Sequence, residues 1–281
     1  MKVSCPTASS CDDFRMASTI ACFQFDIAWE DKPANYKTVT ETVRLAHLPA
    51  GSLLVLPEMF STGFSMNAQN IVEPVHGPTH QFMVTLAREY QLYVLGGVVQ
   101  RGPTGTWPAL NGWPRNEALA VNPEGQLLAR YAKMHPFTLG GEKEQYAAGD
   151  EIVQFEWQGL RVTPFICYDL RFPELFRRAA KLGTDLFVVI ASWPAPRTYH
   201  WTTLLQARAI ENQAFMIGNN RCGSDPRLTY DGRSLIVDYM GNILADAGGD
   251  AGVITAMLDG DAMRAMRSEL PFLADMRNDL I

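Results

Sequence analysis

The chain is short of several things, and each shortage removes a class of protein. Its 281 residues hold five cysteines, Cys5, Cys11, Cys22, Cys167 and Cys222, an odd number with no CxxC pair and no Cys/His cluster of zinc spacing. Neither a disulfide framework nor a metal site is expected, and a reduced, cytoplasmic chain fits this usage. Positive charge is scarce: 24 Lys and Arg stand against 30 Asp and Glu, a net charge of −6. A general nucleic-acid surface needs a basic stripe, so no nucleic-acid partner is expected. No apolar run is long enough to span a bilayer, which argues against a membrane protein. The first fifteen residues, MKVSCPTASSCDDFR, lack an apolar stretch and do not read as a secretory signal. Residues 1–15 are expected to be a disordered extension, with Met16 as an alternative start. No linker, low-complexity tract or composition break divides the rest, so residues 16–281 are expected to form one domain.

What the chain has is apolar substance: 47% hydrophobic against 19% charged residues, enough for a large core. Short apolar or alternating runs at 19–26, 53–56, 92–99, 186–191 and 215–219 read as strands. Helical spacing covers 33–46, 79–90, 173–182 and 200–213; Pro173 suits a first helical turn and Gly183 the position after the last. Strand–turn–strand units are expected at 117–131, 152–167 and 234–246, and a last strand at 252–258. Crossover helices mixed with hairpins predict mixed sheets rather than one parallel sheet.

Three strand ends stand out. Glu58 follows LLVLP, Lys133 follows LLARYA, and Cys167 follows VTPFI. Each puts an ionisable group at the end of an apolar segment, where an isolated buried charge is costly and needs water or a partner. If the three ends meet, they suit one reaction. A free thiol has a pKa of about 8.5 and is mostly protonated at neutral pH. A nearby ammonium favours thiolate, and a carboxylate can take the proton and later return it to a leaving amine. The ammonium and a backbone N–H just past the cysteine could hold the oxyanion of an attacked amide or nitrile. Spacing alone leaves plainer readings open. A cysteine at a strand end is often a small core residue, a glutamate after proline is often a solvated loop residue, and a lysine can snorkel.

The words around these residues add a resemblance. LPEMFSTGF (56–64), YAKMHPF (131–137) and FICYDLRFPELFR (165–177) resemble the three catalytic motifs of the nitrilase, or carbon–nitrogen hydrolase, superfamily, in that family's order. NEALAVNPEGQLLARYAK (116–133) and ARAIENQAFMIGNNR (207–221) support it. The resemblance implies an α/β fold: a four-layer α-β-β-α sandwich with two mixed β-sheets, paired into a homodimer. It implies Glu58 as general base, Lys133 as oxyanion stabiliser and Cys167 as nucleophile, with the Tyr168 N–H as second oxyanion donor. A further glutamate is implied between the lysine and the cysteine. Glu142 fits better than Glu144, counting back from Gly149. No cofactor is implied beyond water.

CYDLRFPE (167–174) and WPAPRTYHW (193–201) resemble the ω-amidase branch. That implies small 2-oxo dicarboxylate monoamides, 2-oxoglutaramate and 2-oxosuccinamate, cleaved to the 2-oxo acid and ammonia through a Cys thioester. Such a substrate carries a carboxylate away from its amide. Arg171 could hold it as a bidentate fork, with Trp193 and Phe64 as walls and Arg197 as a second cation. The plainer readings are that Arg171 pairs with Glu174 or Asp169, that Trp193 fills the core and that Arg197 is a surface charge. Asp169 is expected to hold the loop after Cys167, His135 has no evident partner, and Cys22 and Cys222 read as structural. Two alternatives remain: another branch (a deaminated-glutathione or N-carbamoyl amidase, or a nitrilase), and an idle scaffold on the same fold.

Overall fold

A computed structural model describes residues 18–102 and 112–277 of the chain. The extension expected over residues 1–15 lies outside them. The strands are β1 (Ser18–Gln24), β2 (Leu53–Val55), β3 (Tyr93–Arg101), β4 (Pro114–Val121), β5 (Leu127–Ala132), β6 (Phe155–Trp157), β7 (Leu160–Ile166), β8 (Leu186–Ala191), β9 (Phe215–Asn220), β10 (Cys222–Ser224), β11 (Thr229–Asp231), β12 (Leu235–Val237), β13 (Ile243–Asp246) and β14 (Gly252–Leu258). The α-helices are α1 (Lys32–Ala46), α2 (Ala68–Ile71), α3 (Pro78–Tyr90), α4 (Pro173–Lys181), α5 (Thr198–Asn212) and α6 (Gly260–Glu269).

Two six-stranded sheets result, in the orders β14-β1-β2-β3-β4-β5 and β6-β7-β8-β9-β12-β13. Both follow one pairing pattern from those ends: antiparallel, parallel, parallel, antiparallel, antiparallel. The sheets are mixed, as the blend of crossovers and hairpins predicts. Alternation in β1 shows why they stack. Ile20 and Cys22 join the cluster between the sheets, with Val162, Ile166 and Val188. Ala21 and Phe23 point the other way, into a second cluster with Val39 and Val43 of α1 and Met83 and Leu86 of α3. On the far side, Phe176 of α4 and Trp201 and Leu205 of α5 cover the second sheet. The layers are therefore α-β-β-α. Side chains of period two feed both faces of each sheet, and period 3.6 supplies the helical covers.

Some expectations need correction. The expected strand from Ile152 narrows to Phe155–Trp157, because β7 offers β6 only the three partners Leu160–Val162. Ile152 and Val153 pack on the core without strand pairing. Helix α6 buries only Met263 and was not placed from the sequence. The short β10–β11 pair was likewise unannounced. Among the described residues, no helix is long and apolar enough to cross a membrane.

Candidate active site

The parallel strands β2, β7 and β8 all discharge at their carboxyl ends into one place, where open α/β sheets commonly put their ligands. Past β2 the chain turns through Pro57 to Glu58. This turn lies so close to β3 that a Cβ on Gly97 would stand 2.3 Å from the Met59 nitrogen. Only a glycine lets Glu58 pack there. Past β5, Lys133 is tied by its N–H to the Asn116 carbonyl at 2.9 Å, and its own carbonyl accepts from Gly149 N–H at 2.9 Å. Past β7, the chain turns into a short 3-10 helix, Cys167–Arg171. Cys167 takes φ +46 there, uncommon for a residue with a side chain and frequent at functional turns.

The three predicted residues are brought together. Glu58, Lys133 and Glu142 are each 1% exposed or less. Lys133 Nζ donates to Glu58 Oε1 at 3.0 Å and to Glu142 Oε2 at 2.7 Å. Asn116 Nδ2 donates to the same two carboxylates, 2.7 Å to Glu58 Oε1 and 2.8 Å to Glu142 Oε1. Backbone N–H groups complete the set, Ser192 to Glu58 Oε2 at 2.8 Å and Phe137 to Glu142 Oε2 at 2.6 Å. Between the two candidate glutamates the structure is decisive about position: Glu142 is buried on Lys133, and Glu144 is exposed.

Electrostatics follow from this packing. Burial alone would lower the Lys133 ammonium, but Glu142 and Glu58 outweigh it and raise its pKa. Lys133 is therefore a fixed cation. Burial raises the Glu142 carboxyl, with Lys133 opposing and Glu58 adding. The Cys167 thiol is pushed well up, first by burial and then by Glu58; Lys133 pulls it down without winning. The ammonium does not supply a resting thiolate. A thiol so placed can bond to carbon only if a base removes its proton as the bond forms, and the Glu58 carboxylate lies in its field.

The remaining predicted residues line one cavity with Lys133 and Cys167: Phe64, Tyr168, Arg171, Trp193 and Arg197. The Arg171 guanidinium carbon lies 4.7 Å from the Trp193 ring centre, and the Arg197 guanidinium carbon 5.7 Å from that of Phe137. Arg171 Nη2 is 3.3 Å from His200 Nδ1. Burial, then the charge of Arg197, pull the Arg171 pKa below its ordinary value; among the described residues the pair forms a cationic rim with no carboxylate partner. Lys133 Nζ sits 5.2 Å from the Phe64 ring centre. Tyr168 occupies the first turn of the 3-10 helix, where backbone N–H groups have no partner within the helix.

Asp169 is wholly buried and collects the turn. It accepts from Ile166 N–H at 3.1 Å, His135 N–H at 2.9 Å and Tyr131 Oη–H at 2.8 Å. His135 is corrected here: it has a partner, Asp169 Oδ1, 3.0 Å from its Nδ1, and it stacks on Phe172. This carboxylate ties the end of β5 to the end of β7, which is how Lys133 and Cys167 keep their spacing. Asn116 and Ser192 were missed, since neither carries a charge or a strong nucleophile. The β4–β5 register, with Glu117 opposite Ala132, was a usable signal: it puts Asn116 beside Lys133.

A large buried carboxylate–ammonium cluster under a thiol, on this double sheet, matches one class. The chain belongs to the carbon–nitrogen hydrolase family, whose pattern matches residues 19–268, and its class is hydrolases of carbon–nitrogen bonds. Among individual proteins it is similar to the 2-oxoglutaramate amidase of Bacillus subtilis (strain 168), 33% identical over 94% of this chain and 100% of that one. It is also similar to an omega-amidase of Yersinia enterocolitica, 38% identical over 91% of this chain and 95% of that one. A solved CN-hydrolase superfamily protein from Xanthomonas campestris, with an arsenic adduct in its active site, superposes with a TM-score of 0.85. It is 34% identical and covers 93% of this chain and 98% of its own.

Proposed function

We propose that the protein is an ω-amidase, hydrolysing the terminal amide of 2-oxo dicarboxylate monoamides such as 2-oxoglutaramate and 2-oxosuccinamate. The observation that carries this reading is the arrangement along one cavity: Cys167 and Lys133 at the floor, and Arg171 and Arg197 at the rim. A reacting amide at one end and a free carboxylate at the other match those two ends. The two amidase relatives support the substrate class.

In this reading Glu58 takes the Cys167 proton as Sγ bonds to the amide carbon. The carbonyl oxygen becomes an oxyanion. An ammonium has three donors, and Lys133 gives one each to Glu58 and Glu142; its third, with the Tyr168 N–H, receives the oxyanion. Collapse breaks the C–N bond. The proton held on Glu58 passes to nitrogen, ammonia leaves, and a thioester remains. Water then gives a proton to Glu58 and adds to the thioester carbon, and the C–S bond breaks. The sulfur regains the proton and the 2-oxo acid leaves. Glu142 and Asn116 hold Glu58 and Lys133 in place. A reducing, cytoplasmic compartment, which keeps Cys167 as a thiol, and a homodimer belong to the same proposal. Exposed Ile210 on α5 and Met240 beside it at the β12–β13 turn supply apolar surface for pairing.

A second reading, an amidase for longer acids, has its own support. A wider cavity adjoins the first and shares Phe64, Phe137, Arg197 and Leu228 with it. The test is ammonia release from 2-oxoglutaramate, beside glutamine, an N-carbamoyl amino acid, deaminated glutathione and a simple nitrile, with Cys167→Ala as control. Fast turnover of the 2-oxo amide, lost in the control, is expected. Turnover of another substrate instead keeps the cysteine chemistry and discards the ω-amidase assignment.

A further inference from the structure

We infer that the Ser192 hydroxyl is a substrate contact that accepts an N–H of the scissile amide, and so selects primary amides over esters of the same acid. This rests on the amidase reading above. Ser192 is the first residue past β8. It lines the cavity with Cys167 and Lys133 and is only 5% exposed.

Its two polar groups are treated differently. The backbone N–H donates to Glu58 Oε2 at 2.8 Å and also lies against the Cys167 thiol. The side-chain Oγ is buried and has no hydrogen-bond partner among the described residues. Buried hydroxyls normally find one, because an unmet group has lost water and gained nothing in return. The neighbouring Glu58, Lys133 and Glu142 all have partners. The loop itself is fixed: Trp193 N–H donates to Asn220 Oδ1 at 2.7 Å, and Asn220 Nδ2 donates to the Trp193 carbonyl at 3.0 Å. The freedom left to Oγ is rotation about χ1 between staggered positions, and for the proposed contact this rotation has to turn it toward the cavity without moving the backbone.

Position selects the substrate group. Glu58 presents Oε1 to Lys133 and Oε2 to Ser192. The oxyanion forms on the Lys133 side. The leaving nitrogen, which must take its proton from Glu58, therefore falls on the Ser192 side. A primary amide brings N–H donors there, and an orphaned hydroxyl oxygen is the acceptor that meets one. An ester brings no such hydrogen.

The experiment compares kcat/KM for a primary amide and for the methyl ester of the same acid, using the amide that the wild type cleaves fastest from the panel above. One hydrogen bond between uncharged groups corresponds to about tenfold in rate. Ser192→Ala is expected to lose about tenfold on the amide and less than about threefold on the ester, with an unchanged melting temperature. Ser192→Thr, which keeps the oxygen, is expected to keep the wild-type amide-to-ester ratio even if its added methyl slows both. An equal loss on both substrates, or no loss on the amide, overturns the inference and leaves the amidase reading standing. A wild type that cleaves no amide removes both.

Discussion

Lys133 and Arg171 are two cations on the wall of one cavity, and the protein holds them in opposite ways. Lys133 is 1% exposed, gripped by two buried carboxylates and anchored by its backbone to Asn116 and Gly149. Arg171 is partly exposed, lies over a ring, and has one long contact with a histidine. The charged groups of the floor are paired with one another, so their geometry exists before any substrate arrives. Such preorganisation is where electrostatic stabilisation of a transition state comes from. The rim carries charge that an anion would complete. In the proposed ω-amidase, chemistry and selectivity sit on differently built parts of one cleft, and substitutions should separate them.

The largest effect is expected at the floor. Cys167→Ala should lower kcat by at least about 10³-fold on every amide, with no acyl-enzyme detectable by mass spectrometry. Glu58→Gln should lose roughly 10²- to 10⁴-fold, the range for a lost general base. Either variant retaining near-wild-type turnover would break the distinction at its root. Lys133→Met should also unfold more easily, by about 3–5 kcal/mol in chemical denaturation, because Glu58 and Glu142 lose the charge between them.

The rim should respond more mildly and selectively. Arg171→Ala should raise KM about 10- to 100-fold for a carboxylate-bearing amide and change kcat little. A neutral amide of similar size should be indifferent. A matching loss on both would mean that Arg171 supports the pocket rather than reading the substrate.

A smaller effect sharpens the comparison from within sheet one. Glu117 is next to Asn116 in sequence, and its side chain pairs with the half-buried Arg130 at 2.7 Å. Burial raises its carboxyl to about 7, with Arg130 pulling the other way. A carboxyl raised in the folded state binds its proton more tightly there than in the unfolded chain. Its contribution is full below about 4.5 and is lost as pH climbs toward 7. The melting temperature should fall by a few degrees across that window, and Glu117→Gln should flatten that part of the curve. The smallest effect on turnover is expected from Ile210→Asp with Met240→Asp. Sedimentation should show a smaller species for this double variant, while the wild type sediments as a dimer and kcat stays within about twofold.

The comparison also explains what was readable in the chain. Strands β2, β5 and β7 end in apolar runs just before Glu58, Lys133 and Cys167, and such runs are local properties. The rim residues Arg171, Trp193 and Arg197 lie in the two motifs that resemble the ω-amidase branch, and were named from that resemblance and the need for a cation opposite a carboxylate. Asn116 was not, although it donates to carboxylates 58 and 26 residues away. Ser192 was not, because a serine after a buried strand carries no signal until its oxygen is seen to lack a partner. Helix α6 escaped because it rests on the core through one side chain.

The sequence by itself determined the strand and helix periods, the mixed character of the sheets, and the order in which a carboxylate, an ammonium and a thiol end their strands. These follow from residue chemistry repeated over short spans. Only the tertiary structure decided that Glu142 and not Glu144 meets Lys133, that Asp169 ties His135 to the turn at Cys167, and that burial pushes the Cys167 thiol up. Each of those depends on burial and on partners far away in the chain. A charge or a proton takes its energy from whatever surrounds it, and the surroundings exist only once the sheets have stacked.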